Sequence, residues 1–208
     1  ESWRALEDAG YSSERLDSLR CGVFAGVGSG DFVHQLSAAG IDPDGLVFMG
    51  NANSILAARI SYLLNFKGPS LTVDTACSSS LVAIHLACES LALGSSDLAL
   101  AGGICILNTP NFYLAGSKAG MLSHTGLCRT FDRDADGFVP AEAAGILVLK
   151  PLRRAMADGD RIHAVIEGSA INQDGRTNGI TAPSAPSRTT LELEVYEKFG
   201  IDPETIGY

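Results

Sequence analysis

Cys77 lies where a short β-prone run, residues 70–75, gives way to a run with helical apolar spacing, residues 81–93. This pattern predicts a strand that turns into a helix within a few small residues. A thiol at the start of a helix faces unpaired backbone N–H groups and the positive end of the helix dipole, a setting that favours the thiolate. The same turn can offer N–H groups to a developing oxyanion. Cys77 is therefore a candidate nucleophile on a strand–turn–helix elbow.

A second interpretation of Cys77 is structural. Cysteine often behaves as a small buried hydrophobe, and small residues after a strand often serve only to cap a helix. His85 is a poor candidate for a base, because the helix predicted after Cys77 holds it about two turns from the thiol. From the residues alone, the inert and the nucleophilic interpretations of Cys77 both stay open.

Two other motifs resemble ligand sites but fail on spacing. The glycine-rich segment 26–31 suggests a dinucleotide-binding turn, but the third glycine of that motif is replaced by Asp31. Residues 132–137 copy the first half of a calcium-binding loop, but its last ligand position is Ala143, and Glu142 falls one place early. We therefore predict neither a nucleotide site nor a metal site.

Composition narrows the class of protein. The chain has 208 residues, of which 46% are hydrophobic and 19% charged, as in an ordinary globular protein. A net charge of −9 argues against binding to nucleic acid or to an anionic membrane, and no apolar run reaches the roughly 18 residues of a membrane span. The odd number of cysteines, 5, without CxxC spacing suits free thiols in a reducing compartment, which predicts a cytoplasmic location.

Strand and helix patterns alternate along the chain, which favours an α/β fold with a largely parallel sheet. The chain begins with Glu1 and ends in a predicted strand, so we expect it to be a piece of a longer protein. The predicted strands are residues 21–27, 70–75, 97–104, 144–150, 162–171 and 206–208, and the main predicted helices are residues 1–9, 51–64, 81–93, 151–158 and 188–199.

The stretch around Cys77, residues 74–81 with the sequence DTACSSSL, closely resembles the active-site segment of β-ketoacyl synthases. The resemblance is strongest to the ketosynthase domains of modular polyketide synthases. The family usually has a Gly-Glu-Gly triplet where this chain has residues 141–143, Ala-Glu-Ala, so a need for positive φ there becomes doubtful. Further matching segments are residues 58–62, 68–70, 131–132, 136–139 and 172–187.

This resemblance implies the thiolase-like fold, in which two similar α/β halves form α-β-α-β-α layers. Residues 1–160 would be the N-terminal half without its first strand, and residues 161–208 would begin the C-terminal half. The missing strand would be a central one, encoded upstream of Glu1. We therefore expect the isolated piece to fold poorly and to be inactive.

The resemblance also implies the reaction and the partners. Cys77 would accept an acyl chain from the phosphopantetheine arm of an acyl carrier protein, and a decarboxylated malonyl-type extender would then attack the thioester to give a β-ketoacyl product. The family is homodimeric through an edge strand near Thr72, works with other synthase domains in cis, and binds no cofactor or metal in this domain. Its two catalytic histidines lie beyond this sequence, and none of the histidines present stands in a matching motif, these being His34, His85, His124 and His163.

Three alternatives remain. A non-extending ketosynthase would pass an acyl chain on or serve as a structural partner, and a fatty-acid β-ketoacyl synthase would use the same chemistry on other chains. A cysteine hydrolase, using Cys77 with an unassigned histidine, would release a free acid.

Overall fold

The first of two compact units contains the sheet. The computed structural model describes residues 1–42 and 44–207, which divide into the two units after Lys150. The strands of the first unit are β1 (Cys21–Val27), β2 (Ser70–Val73), β3 (Leu98–Cys105) and β4 (Ala143–Leu149). They form a 4-stranded sheet in the order β2-β1-β3-β4, in which β1 runs parallel to β2 and β3 while β4 runs antiparallel to β3.

Helices connect these strands. Those of the first unit are α1 (Ser2–Asp8), α2 (Ser13–Asp17), α3 (Phe32–Ala38), α4 (Gly45–Asn51), α5 (Asn53–Leu63), α6 (Ser79–Ala92) and α7 (Asn111–Lys118). The predicted helix over residues 51–64 is α5, which begins two residues later than predicted because Ala52 takes an extended backbone with ψ 117° between α4 and α5. The alternating α/β pattern predicted from the sequence is confirmed.

The sheet is covered on both faces. Val23 and Ala25 of β1 join a buried cluster with Leu6 of α1 and Ala57 of α5. The intervening residue, Phe24, points the other way and joins a cluster built on the alanines of α6. This alternation explains why β1 and β3 are continuous apolar runs, since a sheet buried on both faces needs apolar side chains at every position.

The sheet does not lack a central strand, so the expectation that the missing strand is a central one is wrong. β1 and β3 pair directly over seven residue pairs, from Cys21↔Leu98 to Val27↔Ile104. β2 pairs with β1, and β4 with β3, again without a gap. A further strand could join this sheet only at an edge, so the absence of a central strand cannot be the reason for poor folding.

The second unit contains α8 (Leu152–Ala157), α9 (Ala185–Phe199) and a short 3₁₀ turn (Pro203–Thr205). Gly200 ends α9 in the left-handed conformation with φ 65°. The strand predicted over residues 162–171 is not formed, and neither is one at residues 206–207, because no partner strand lies beside either segment within the described residues. Tyr208 lies outside those residues.

The cysteines are free thiols, as predicted. Cys21 is buried in the sheet, and burial raises the pKa of its thiol to about 12. Cys77 is exposed instead. Within residues 1–42 and 44–207, no helix combines the length and apolar character needed to cross a membrane.

Candidate active site

Cys77 lies on a tight turn between a strand and a helix. β2 ends at Val73, a 3₁₀ turn covers Ala76–Ser78, and α6 begins at Ser79. The strand–turn–helix prediction is therefore confirmed, with the helix starting two residues earlier than the apolar spacing suggested. Within the described residues, Cys77 is exposed at this turn. A reagent can therefore reach its sulfur.

Short side chains hold the turn together. The Thr75 N–H donates to Ser79 Oγ at 2.9 Å, and that hydroxyl donates to the Ala76 carbonyl at 2.7 Å. The Ala76 N–H donates to Asp74 Oδ1 at 3.1 Å, and Ser78 Oγ donates to the Thr75 carbonyl at 2.9 Å. The small polar residues on both sides of the cysteine thus bind the backbone of the turn and fix its shape.

The residue before the cysteine has a strained backbone. Ala76 takes φ 56°, in the left-handed region that favours glycine. A residue with a Cβ costs about 1–2 kcal/mol there, and such strain concentrates at functional turns. No sequence pattern signals this conformation, because alanine is not one of the residue types that adopt it readily.

Two glycines allow α6 to begin directly on the sheet. A Cβ on Gly26 would lie 2.5 Å from the Ser79 carbonyl carbon and 2.5 Å from the Ser80 nitrogen. A Cβ on Gly103 would lie 2.7 Å from Ser80 Cβ. Because Gly26 and Gly103 are register partners on β1 and β3, the first turn of α6 sits over both strands. This contact sets the height of Cys77 above the sheet.

His85 lies within α6, six residues after the first residue of the helix, Ser79, and so about 9 Å along the helix axis from it. Its side chain is buried, and Nε2 lies 3.5 Å from Glu89 Oε1 on the same helix. This placement agrees with the prediction that His85 is a poor candidate for the base that acts on Cys77.

Carboxylates hold the segment that follows β3. The Leu107 N–H donates to Glu142 Oε1 at 2.6 Å. The Asn108 and Thr109 N–H groups donate to Asp31 Oδ1 at 3.0 Å and Oδ2 at 2.8 Å. The side chains of Asn108 and Thr109 also donate to Asp31, at 3.1 and 2.6 Å. We call residues 107–109 the post-β3 segment.

Asp31 is the residue that breaks the dinucleotide motif, and no sequence pattern assigns it another role. The hydrogen bond from the Thr109 hydroxyl, followed by those from the Asn108 side chain and the two backbone N–H groups, lowers its pKa to about 2. Its carboxylate therefore stays ionised near neutral pH.

The Asp31 hydrogen bonds predict a contribution to acid unfolding. Since the pKa falls from 3.8 to about 2 on folding, the stabilisation is complete above about pH 4 and is lost as the pH falls towards 2. We expect an Asp31→Asn variant to lose less stability than the parent over this window. Chemical unfolding at pH 2, 3, 4 and 6 measures this, and equal losses in the two proteins would contradict it.

The calcium-like segment holds its own loop. Asp136 accepts from Ser123 Oγ at 2.6 Å and from Thr125 Oγ1 at 3.3 Å, and the Ser123 hydrogen bond leads the causes that lower the pKa of Asp136. Within residues 1–42 and 44–207, no group of three or more His, Cys, Asp or Glu is arranged to hold a metal ion.

Neither alanine beside Glu142 takes positive φ, so glycine is not needed at residues 141 and 143.

Comparison with known proteins identifies the family. Residues 1–155 match the N-terminal domain of β-ketoacyl synthases, and residues 163–208 match the C-terminal domain. The chain is 49% identical over its whole length to the polyketide synthase PksL of Bacillus subtilis, of which it spans 4%. Over 99% of its length it is 46% identical to the phthioceranic/hydroxyphthioceranic acid synthase of Mycobacterium tuberculosis, of which it spans 10%.

Solved structures give the same result. The whole chain superposes on a ketosynthase from module 6 of the bacillaene synthase of B. subtilis with a TM-score of 0.92 and 50% identity, spanning 35% of that chain. It superposes equally well, with a TM-score of 0.92 and 38% identity, on an oxazolomycin ketosynthase domain of Streptomyces albus, spanning 36% of it. The fold is thiolase-like, the chain is a part of it, and the chain belongs to the β-ketoacyl synthase family as a ketosynthase of the polyketide synthase type.

Proposed function

We propose that this chain carries the nucleophile of a condensing ketosynthase and that Cys77 is that nucleophile. The observation that supports this most is the position of an exposed cysteine on a strand–turn–helix elbow in a chain of this family. Cys105 and Cys128 are also exposed, but neither lies at the start of a helix that follows a strand. Cys77 is thus the cysteine whose setting suits nucleophilic catalysis.

The first step is transthioesterification. The Cys77 thiolate attacks the thioester carbonyl of an acyl group on the phosphopantetheine arm of a carrier protein, forming a new S–C bond. The carbon–sulfur bond to phosphopantetheine then breaks, and the departing thiolate takes a proton. Backbone N–H groups at the start of α6 are suited to the transient oxyanion.

The second step forms the carbon–carbon bond. A malonyl-type thioester loses carbon dioxide, and the electron pair of the broken C–C bond gives an enolate. The enolate carbon attacks the Cys77 thioester, and Cys77 leaves as a thiolate. The resemblance implies that the two histidines that stabilise the enolate lie outside this sequence, so we expect this chain alone to be inactive.

A second copy of the chain has a free strand edge to pair with. Among the described strands, β2 has a neighbour on one side only, β1. Leu71 on β2 is exposed, as are Tyr62 and Leu63 at the end of α5. An unpaired edge beside apolar side chains favours strand pairing across a dimer axis, which supports the proposed homodimer.

A cytoplasmic location stays a prediction.

A reconstitution assay tests the proposed reaction. A complete ketosynthase domain carrying this sequence is incubated with acyl and malonyl carrier proteins, and the carrier-bound products are measured by mass spectrometry. We expect acylation at Cys77 and a product lengthened by two carbons. Acylation without lengthening would indicate a non-extending domain, and release of free acid would indicate a hydrolase, so either result would contradict the condensing function.

A further inference from the structure

We propose that Asp31 and Glu142 are positioning residues that hold the post-β3 segment beside the elbow and thereby fix the path by which an acyl thioester reaches Cys77. This inference rests on the proposed function and adds to it a determinant of substrate binding. It concerns residues that do not touch the sulfur and act through the segment they hold.

The post-β3 segment is held by several hydrogen bonds. Three consecutive N–H groups, those of residues 107–109, donate to the carboxylates of Glu142 and Asp31. The Gln35 side chain donates to the Asn108 carbonyl. Hydrogen bonds to an ionised acceptor are about twice as strong as neutral ones, so this irregular segment is fixed without belonging to a helix or strand.

Asp31 is used for this segment in place of its usual local role. It occupies the N-cap position of α3, where an aspartate normally binds the first N–H groups of its own helix. Its side chain makes no such cap hydrogen bond. Instead it binds Asn108 and Thr109, which lie 77 and 78 positions further along the sequence. Asp31 thus binds a distant loop and not the N–H groups of its own helix. We infer from this that the position of that loop is important for the site.

Asp31 also determines where α3 lies. No residue of α3 is buried, so apolar packing does little to fix this helix. Its links to the post-β3 segment come from Asp31 at its start and Gln35 in its second turn. Thr109 Oγ1 further accepts from the Asn111 N–H at 3.3 Å, at the start of α7. The hydrogen bonds thus join the starts of two helices through one segment.

These contacts span the place where a ligand is expected in such a sheet. In open α/β sheets, ligands bind outside the carboxyl ends of the strands, at the point where the strand order reverses. Here that point lies between β1 and β3, because the chain continues from β1 to β2 on one side and from β3 to β4 on the other. Asp31 follows β1 and the post-β3 segment follows β3, so their hydrogen bonds bridge the reversal.

The elbow meets the same edge. The first turn of α6 lies over Gly26 and Gly103, near the carboxyl ends of β1 and β3. The post-β3 segment begins four residues after Gly103, about 13 Å further along the chain when extended. A substrate that approaches Cys77 along this edge therefore passes the post-β3 segment, and its affinity depends on where that segment lies.

Substitutions that remove one partner test this in a complete domain carrying the sequence. Asp31→Asn replaces one accepting carboxylate oxygen by an NH₂ group, which then faces a donor of residue 108 or 109. Thr109→Val removes the hydroxyl donor while keeping the side-chain shape. We expect each to raise the KM for acyl loading from a carrier protein about tenfold, the effect of losing one charge-assisted hydrogen bond. The loading rate at saturation and the rate of Cys77 alkylation by iodoacetamide stay within about twofold.

Matched variants separate positioning from stability. Thr109→Ser keeps the hydroxyl donor and should restore the parent KM. Asp136→Asn removes a hydrogen-bonded carboxylate from another loop and should leave the KM unchanged. If Asp31→Asn and Thr109→Val lower the melting temperature without changing KM, or slow alkylation and loading equally, the positioning role is wrong. If the parent domain fails to load at all, the proposed function itself fails.

Discussion

Replacing Cys77 by alanine is expected to abolish acyl loading in a complete ketosynthase domain that carries this sequence. The serine hydroxyls at the elbow are far weaker nucleophiles than a thiolate, so the loading rate should fall by about 10⁴ or more. The melting temperature should change little, because Cys77 is exposed and contributes little buried surface. Mass spectrometry of the intact domain after incubation with an acyl carrier protein measures the loading.

The control for this experiment is Cys105→Ala, which removes another exposed thiol at the end of β3. This variant should load at the parent rate. Normal loading by the Cys77→Ala domain would refute the assignment of the nucleophile, and loss of loading in both variants would point to a general effect on the fold.

Adding a methyl group at Gly26 should both destabilise the domain and slow the reaction. The new Cβ would lie 2.5 Å from backbone atoms of Ser79 and Ser80, and backbone cannot rotate away as a flexible side chain would. We expect Gly26→Ala to lower the free energy of unfolding by about 3 kcal/mol. We also expect acyl loading to fall about a hundredfold, because the start of α6 must shift and carry Cys77 with it.

Gly28→Ala is the matched control, since it lies two residues further along the same segment and its Cβ would meet no atom within 4 Å. Urea unfolding and loading kinetics on both variants measure the two effects. Parent-like stability and loading in Gly26→Ala would show that the close contact between β1 and α6 does not set the position of the cysteine.

The amino-acid pattern was sufficient for the strands of the first unit, for α1, α5 and α6, and for the place of the cysteine, but α2, α3 and α4 were not among the predicted helices. Apolar runs located β1, β3 and β4 within one residue. For β1 and β3 the reason is burial on both faces, which makes a strand a continuous apolar run. The pattern also placed Cys77 at a strand-to-helix turn. It could not give the neighbours of each strand. The expectation of a missing central strand was wrong because β1 and β3, far apart in sequence, pair directly.

The supporting residues of the site were harder to predict. Glu142 stood out through the family resemblance, but its contact with the Leu107 N–H depends on tertiary structure. Asp31 was visible only as the residue that breaks a glycine motif. The left-handed backbone of Ala76 had no signal at all, because the surrounding hydrogen bonds rather than the residue type impose it.

The direct contact between α6 and the bare main chain of β1 and β3 bears on how such enzymes diverge or can be engineered. The position of the Cys77 sulfur depends on backbone atoms of Gly26 and Gly103. Substitutions of neighbouring side chains do not alter these atoms. Surrounding loops can therefore be replaced to accept new acyl groups while the attacking atom keeps its coordinates. An insertion within either strand would shift that frame and disable the domain whatever its loops contained.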